Sequence, residues 1–393
     1  MALIIVSGAI ANKPFNGGEA WVRLNWTLGF EQLGHEVLFI EQLDAGADLE
    51  RRTRYFQDVM TQFGLERRSA LIDANGRPLW GLAEHELTAA ADNAAALINI
   101  SGHLTSQAIK EPIGPKVYVD LDPGFTQFWH EQGNLGAKLD DHEYYYTVGE
   151  NIGAADCPIP TGGLPWRPVR QPVVIDRFPV VESAAPWRFT TIGSWRGSFG
   201  PVEADGKTYG QKVHEFRKFV ELPHLVHLPF EVALDIHPTE VNDLALLRNH
   251  GWRLVDPREA AGDPVKFRSY VQRSGAEFSV AQGMYVETNS GWFSDRTVRY
   301  LASGKPALVQ DTGFSRNLPV GEGVLAFRSI EEAVAGAEEI ARGYHRHCHA
   351  ARQIAEQYFD AKRVLGALLE EIGVEPTRAG APPRSDPRME ALS

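Results

Sequence analysis

The chain is poor in cysteine: Cys157 and Cys348 are the only two among its 393 residues. Two thiols so far apart exclude the dense disulfide framework that stabilises many small secreted domains. A reducing compartment is therefore the expected setting, and we expect a cytoplasmic protein.

Long hydrophobic runs are also missing. No stretch approaches the about 20 apolar residues that a membrane-spanning helix needs. The first residues, Met1–Gly8, lack the basic segment that opens a signal peptide, and their apolar character is typical of a buried first strand. The sequence therefore predicts no integral membrane segment.

Positive charge is in deficit. Lys and Arg number 39 against 51 Asp and Glu, which gives a net charge of −12. Nucleic acids and anionic membrane surfaces bind clustered positive charge. The charge balance therefore predicts that neither nucleic acid nor an anionic membrane surface is the main partner.

A nicotinamide-binding fingerprint is absent as well. The spacing Gly-x-Gly-x-x-Gly does not follow the first apolar run, which disfavours a dehydrogenase. The composition, 43% hydrophobic and 23% charged, is that of a globular protein, and the length suits two domains.

What the chain does contain is a strand, loop, helix and strand late in the sequence. The apolar runs Phe278–Ala281 and Ala307–Val309 predict buried parallel strands. Between them, Glu287–Asp295 is a polar loop, and Arg296–Ser303 has apolar residues at helical spacing. Gly304–Pro306 then ends the helix. Ligands bind beyond the carboxyl ends of such strands, and a loop at a helix N-terminus suits an anion.

The same alternation starts at the beginning of the chain. Leu3–Ser7 and Val37–Ile40 predict strands around a helix at Glu19–Leu33, and the pattern restarts at Arg188–Ile192. Cys157–Pro172 is rich in Pro and Gly, as linkers are. The fold class is therefore α/β, with two Rossmann-like doubly wound domains that face a central cleft. Predicted bounds are 1–175 for the first domain, 176–350 for the second, 351–373 for a helix that returns to the first, and 374–393 for a disordered tail.

Two motifs carry a family resemblance. Ala302–Pro306 reads Ala-Ser-Gly-Lys-Pro and follows the pair Arg296-Thr297, and Gly34–Val37 reads Gly-His-Glu-Val. This chain thereby resembles GT-B glycosyltransferases, most closely the spore-maturation-type and group 1 branches. It departs from them at Arg299, where many members carry the Glu that binds the donor ribose.

The resemblance implies a metal-independent glycosyltransferase of the hexosyltransferase type. The second domain would bind a nucleotide-diphosphate sugar and the first a small-molecule acceptor; aromatic residues in the first domain favour an aromatic one. No resident cofactor is expected, and the chain would be a monomer or a homodimer. A sugar-nucleotide epimerase of the same architecture and a non-catalytic binding protein remain alternatives. The donor nucleotide, the sugar and the stereochemistry stay open.

Arg296 is the leading candidate for a contact to the diphosphate, because it opens a helix and its planar fork fits phosphate oxygens. The alternative is a surface Arg that pairs with Asp295 or Glu287. Further predicted donor-binding residues supply cations, hydroxyls, backbone N–H groups or an aromatic ring. They are Thr297, Asp295, Ser294, Ser290, Gly291, Arg196, Lys212, Ser194 and Tyr285. For the loop residues among them, ordinary helix capping is the competing interpretation.

An inverting transfer also needs a general base, and the predicted candidates are His103, Asp122 and Glu19. A retaining transfer needs none. The predicted acceptor-binding residues lie in the first loop and helix, and they are Asn16, Gly17, Gly18 and Trp21. His345 and His349 share a helix face as zinc ligands can, but a solvated basic face is the preferred interpretation, and no metal site is predicted.

Overall fold

A computed structural model describes residues 1–181, 187–197 and 199–374 of the chain. From residue 375 onward, the tail that the sequence predicts to be disordered lies outside the described residues. Among the described residues, no helix has both the length and the apolar character that a membrane span needs.

The first domain is built on an eight-stranded sheet in the order β4-β3-β2-β1-β5-β6-β7-β8. Every pairing is parallel except that of β3 with β4. The strands are β1 (Leu3–Ser7), β2 (Glu36–Gln42), β3 (Ser69–Ile72), β4 (Pro78–Gly81), β5 (Ala94–Ile100), β6 (Lys116–Asp120), β7 (Tyr144–Thr147) and β8 (Trp166–Pro168). The helices are α1 (Gly17–Gln32), α2 (Leu49–Gln62), α3 (Glu84–Asn93), α4 (Gln107–Lys110) and α5 (Phe125–Glu131).

The second domain has a six-stranded parallel sheet in the order β13-β12-β9-β14-β15-β16. Its strands are β9 (Phe189–Ser194), β12 (Phe230–Asp235), β13 (Trp252–Val255), β14 (Ala276–Ser279), β15 (Ala307–Gln310) and β16 (Val324–Phe327), and β10 (Val202–Ala204) and β11 (Lys207–Tyr209) form a separate hairpin. The helices are α6 (Lys212–Arg217), α7 (Leu222–Val226), α8 (Val241–Asn249), α9 (Pro257–Ala261), α10 (Pro264–Arg273), α11 (Gly283–Glu287), α12 (Asp295–Ala302), α13 (Ile330–Arg342), α14 (Tyr344–Ile354) and α15 (Ala361–Glu371).

Strand order in both sheets reverses beside the first strand of the domain, between β1 and β5 and between β9 and β14. Such a reversal opens a crevice at the carboxyl ends of the strands, where open α/β sheets bind ligands. Both crevices open into the space between the domains. The prediction of two Rossmann-like doubly wound domains that face a central cleft is confirmed.

The last helix, α15, packs against α1 of the first domain. A Cβ built on Gly29 would lie 2.6 Å from Leu365 Cδ1 and 2.9 Å from Ala361 Cβ, so only glycine lets the two helices come this close. The same apolar cluster contains Leu24 and Leu301, one from each domain, both buried. The division at 175 and 350 stays a proposal, since the core runs across it.

Candidate active site in the interdomain cleft

A cleft of about 530 Å³ lies between the two domains. The second domain contributes the carboxyl ends of β9, β12 and β14 and the start of α12; the first contributes the loop before α1, the start of α1 and the segment after β6. The sequence-predicted residues that line it are Asn16, Gly18, Glu19, Asp122, Ser194, Lys212, Tyr285, Ser294, Asp295 and Arg296.

Helix α12 opens into this cleft. Ser294 caps the helix by accepting a hydrogen bond from the backbone N–H of Arg296 at 3.3 Å. Ser294, Asp295 and Arg296 all line the cleft. The capping role and the place in the cleft therefore coexist, because the cap uses only the first turn of the helix.

Arg296 is anchored on three sides. Its Nε donates to Glu277 Oε1 at 2.5 Å, Nη1 to the Ile192 carbonyl at 2.8 Å and Nη2 to Ser279 Oγ at 2.8 Å. Glu277 is fully buried on β14, so Arg296 pairs with a carboxylate of the core rather than with Asp295 or Glu287. A guanidinium carries five N–H donors, so one on Nη1 and one on Nη2 remain for a ligand.

Lys212 lies beside Arg296 and has no anchor of its own. A Cβ built on Gly193 would lie 2.9 Å from Lys212 Nζ and 3.9 Å from Arg296 Nη1. Within the described residues, Lys212 Nζ makes no hydrogen bond or ion pair. Burial and the charge of Arg296 lower its pKa to about 7. A second cation at the strand-order reversal, with no carboxylate of its own, suits a ligand with concentrated negative charge.

Arg196, predicted to bind the donor, lies outside the cleft. Its Nε bonds Glu240 Oε1 at 2.5 Å, and its side chain is exposed. Strand β9 ends at Ser194, which lines the cleft, and the chain has turned outward two residues later.

Ser290, Gly291 and Thr297 were also predicted to bind the donor, but the structure places none of them at the lining of the cleft. The Ser290 carbonyl accepts from the backbone N–H of Asn151 at 3.0 Å, and a Cβ on Gly291 would lie 2.9 Å from that nitrogen. This part of the loop therefore packs against the first domain. Thr297 is fully buried in α12.

Asp122 is the first-domain carboxylate that best fits the predicted role of base. It follows β6 and lines the cleft, where its Oδ1 accepts from the Tyr285 hydroxyl at 3.2 Å. Burial raises its pKa to about 6. A general base works best when its pKa lies near the working pH.

Glu19 and His103 fit that role less well. Lys13 and Arg23 both bind the Glu19 carboxylate and, although burial raises its pKa, together they hold it well below its usual range. So stable a carboxylate is a weak base. His103 does not line the cleft, and burial together with the charges of Arg23 and Lys13 lowers its pKa to about 3.

Two of the four predicted acceptor-binding residues line the cleft and two do not. Asn16 and Gly18 line the cleft, whereas Gly17 and Trp21 do not. A Cβ on Gly17 would lie 2.1 Å from the Asp263 carbonyl oxygen, so this glycine permits contact between the domains. Trp21 is fully buried and its Nε1 donates to the Pro264 carbonyl at 2.7 Å, so the structure places it in the core rather than in the predicted acceptor site.

The sequence analysis does not identify Lys13, Arg23 and Gln282, which line the cleft, or the buried Glu277, which pairs with Arg296 there. The last left a signal, since a carboxylate beside the apolar run at Phe278 needs a buried cation. Of the histidines, His347 rather than His345 or His349 is fully buried. No cluster of three or more His, Cys, Asp or Glu side chains suited to a metal ion occurs in the described ranges.

Comparison with known proteins shows the fold. No protein-family profile matches the chain, and no curated protein sequence matches it with significance. Solved structures do match. An alpha-glucosyltransferase in complex with UDP and a 13-mer DNA with a central A:G mismatch has a TM-score of 0.62 at 12% identity, over 95% of this chain and 100% of that one. The chain has the GT-B fold.

Two further structures of this kind agree. Sucrose-phosphate synthase from Thermosynechococcus elongatus has a TM-score of 0.55 at 10% identity, over 95% of this chain and 99% of that one. HepE from Anabaena, in complex with UDP, has a TM-score of 0.55 at 13% identity, and the match covers 95% of this chain and 100% of that one. Identities this low speak for the fold, so the resemblance to GT-B proteins is confirmed at that level.

The prediction that nucleic acid is not a partner is corrected by the first of these comparisons. That alpha-glucosyltransferase binds DNA with the same fold. Net charge is a sum over the whole surface, whereas binding depends on the local field of one face. A total of −12 therefore does not exclude a nucleic acid.

Proposed function

We propose that this protein is a glycosyltransferase that moves a sugar from a nucleoside-diphosphate sugar to an acceptor hydroxyl. The observation that carries the proposal is the unpaired Lys212 beside the anchored Arg296, across the cleft from Asp122. This arrangement places a binding site for a dianion opposite the carboxylate of Asp122, whose pKa is raised to about 6 by burial. UDP is the first nucleotide to test, because the alpha-glucosyltransferase and HepE structures contain it.

In this mechanism the second domain stabilises the leaving group. As the bond between the anomeric carbon and the phosphate oxygen breaks, its electron pair moves to the diphosphate. The Lys212 ammonium, the two free N–H groups of Arg296 and the start of α12 face that charge. We propose that these groups replace a divalent cation, so that activity persists in EDTA.

The first domain would bind the acceptor near Asn16, Gly18 and Asp122. Phe15 and Trp292 also line the cleft and offer apolar faces to an aromatic acceptor. We therefore propose a small hydroxyl-bearing acceptor. Because the alpha-glucosyltransferase structures contain DNA, DNA with a hydroxyl-bearing base belongs in the same acceptor panel.

Binding is tested by thermal shift with UDP, GDP, TDP and their sugars. We expect one nucleotide family to raise the melting temperature by about 2–4 °C at saturation. Lys212→Ala should lose most of the shift and Arg296→Ala part of it, whereas Arg196→Ala, a matched cation outside the cleft, should keep it. Equal shifts in all four proteins would contradict the proposed donor site.

Activity is tested by mass spectrometry of donor and acceptor after incubation. Transfer to an acceptor supports the proposal. Conversion of the donor sugar into its epimer would instead support an epimerase, and binding without either reaction over hours would support a binding protein.

A further inference from the structure

A chain of hydrogen bonds crosses the cleft from the second domain to the first. Gln282 Nε2 donates to the Tyr285 hydroxyl oxygen at 3.4 Å, and that hydroxyl donates to Asp122 Oδ1 at 3.2 Å. All three side chains line the cleft. The carboxylate that we propose as the base is thus held by a side chain of the domain that binds the donor.

We propose that Tyr285 is a positioning residue, which orients Asp122 for proton transfer from across the cleft. This inference rests on the proposed function and on an inverting transfer, the kind that needs a base. It adds that the geometry of the base depends on the donor domain.

Tyr285 is rigid enough for this role. Its side chain is buried and stacks on Trp292, with ring centroids 4.5 Å apart and an interplanar angle of 27°. Phe125 of the first domain meets its edge at 6.0 Å and 88°. Trp292 is held in turn by a backbone bridge to Gly149 of the first domain. A ring enclosed on two sides keeps its hydroxyl at one place relative to Asp122.

The hydrogen bond also decides which oxygen reacts. Tyr285 occupies Oδ1 of Asp122, and no side chain within the described ranges donates to Oδ2. In the proposed step, the acceptor O–H bond breaks and its proton goes to Oδ2. The acceptor oxygen uses that electron pair to bond the anomeric carbon, and the bond from that carbon to the phosphate oxygen breaks. The proton later leaves Asp122 for water.

Charged and titratable groups from three elements face Asp122. Burial raises the pKa of Asp122, and so do the charges of Asp120 at the end of β6 and Glu19 on α1. Lys13, before α1, and the hydrogen bond from the Tyr285 hydroxyl lower it. Because Asp122 must be ionised to accept a proton, activity rises with pH through that pKa. Loss of the Tyr285 hydroxyl should therefore move this acidic limb to higher pH.

The test compares Tyr285→Phe with Tyr146→Phe. Tyr146 also donates to a carboxylate, Glu371 Oε2 at 2.6 Å, but lies outside the cleft, so its variant controls for the loss of a buried tyrosine–carboxylate bond. We expect Tyr285→Phe to lower kcat about tenfold and to shift the acidic limb of kcat/KM upward. Because the Tyr285 hydroxyl bonds Asp122 and the ring stays in place, the dissociation constant of UDP should stay unchanged even if that ring contacts the donor as predicted. Tyr146→Phe should change none of the three.

A titration of the aspartate carboxyl carbons by NMR needs no turnover. The signal that disappears in Asp122→Asn identifies Asp122, and its pKa should be higher in Tyr285→Phe than in the wild type. An identical pKa in both proteins, or an acidic limb that stays in place, would overturn the inference even if transfer is found. A raised pKa in a protein that transfers no sugar would instead overturn the proposed function.

Discussion

The two crevices of this molecule have the same topology but opposite arrangements of charge. In the first domain, Lys13 and Arg23 share the carboxylate of Glu19, so both cations there are paired. In the second, Glu277 pairs with Arg296, and no carboxylate among the described residues forms an ion pair with Lys212. The second crevice thus has a basic side chain, Lys212, available to a ligand, whereas the cations of the first crevice are paired with Glu19.

This difference in charge suits the second crevice to an anion and the first to a neutral group, although both domains are built on doubly wound sheets. A phosphate gains most where a cation has no other partner and is shielded from water. An acceptor hydroxyl instead needs a base, the role that we propose for Asp122. We therefore propose that the charges, rather than the strands, assign donor and acceptor to their domains.

The largest effect should come from removing the buried acid of the second crevice. Glu277→Ala leaves Arg296 buried without its carboxylate, and we expect the free energy of unfolding to fall by about 3 kcal/mol. Glu19→Ala also leaves a buried guanidinium, that of Arg23, without its carboxylate, but Glu19 itself is 27% exposed, so we expect a smaller loss. Urea unfolding measures both. Equal losses of unfolding free energy in the two variants would contradict the proposed difference between the two crevices.

How far the sequence predicts such details depends on the range of the interactions. Helix α12 and its opening into the cleft were predicted because its signals are local: Ser294 caps it and Gly304, at φ +70°, ends it. The position of Asp122 at the cleft could be predicted because it follows a strand, and the carboxyl ends of such strands lie at the ligand crevice.

Contacts between distant parts of the chain could not be predicted in this way. Trp21 meets Pro264, and Asn151 fills the place beside Gly291 that a ligand was expected to take. Such pairs depend on how the domains dock, which leaves no periodic pattern. Helix α11 was missed for another reason, since five residues are too few to show helical spacing.

The next effect concerns donor affinity. Lys212→Ala removes a charged donor that no other group replaces, so we expect the dissociation constant of UDP to rise about 30-fold. Lys13→Ala, which removes a cation already paired with Glu19, should change it less than about threefold. Isothermal titration calorimetry gives both values. A larger loss in Lys13→Ala would place the diphosphate in the first crevice instead.

A smaller effect should appear in the protons exchanged on binding. In the free protein the pKa of Lys212 is about 7, so near neutral pH about half of the molecules carry a neutral amine. A bound diphosphate favours the ammonium form and raises that pKa, so binding takes up protons and weakens as the pH rises above 7. Calorimetry of UDP binding in buffers of different ionisation enthalpy measures the uptake. It should vanish in Lys212→Ala, and uptake that persists there would assign the titration to another group.

The smallest effect is expected at the rim of the second crevice. Arg258 follows β13, lines the cleft and is exposed, and no carboxylate among the described residues pairs with it. Its charge reaches the donor site through water, so Arg258→Ala should weaken UDP binding about threefold at low salt and hardly at all near 1 M, where the screening length is about 3 Å. Lys212→Ala should keep most of its effect at both salt concentrations, because Lys212 is partly buried and its Nζ lies close to Gly193 inside the cleft. Titrations of both variants across that range separate the two kinds of cation, and a salt-insensitive loss in Arg258→Ala would mean that the guanidinium contacts the nucleotide directly.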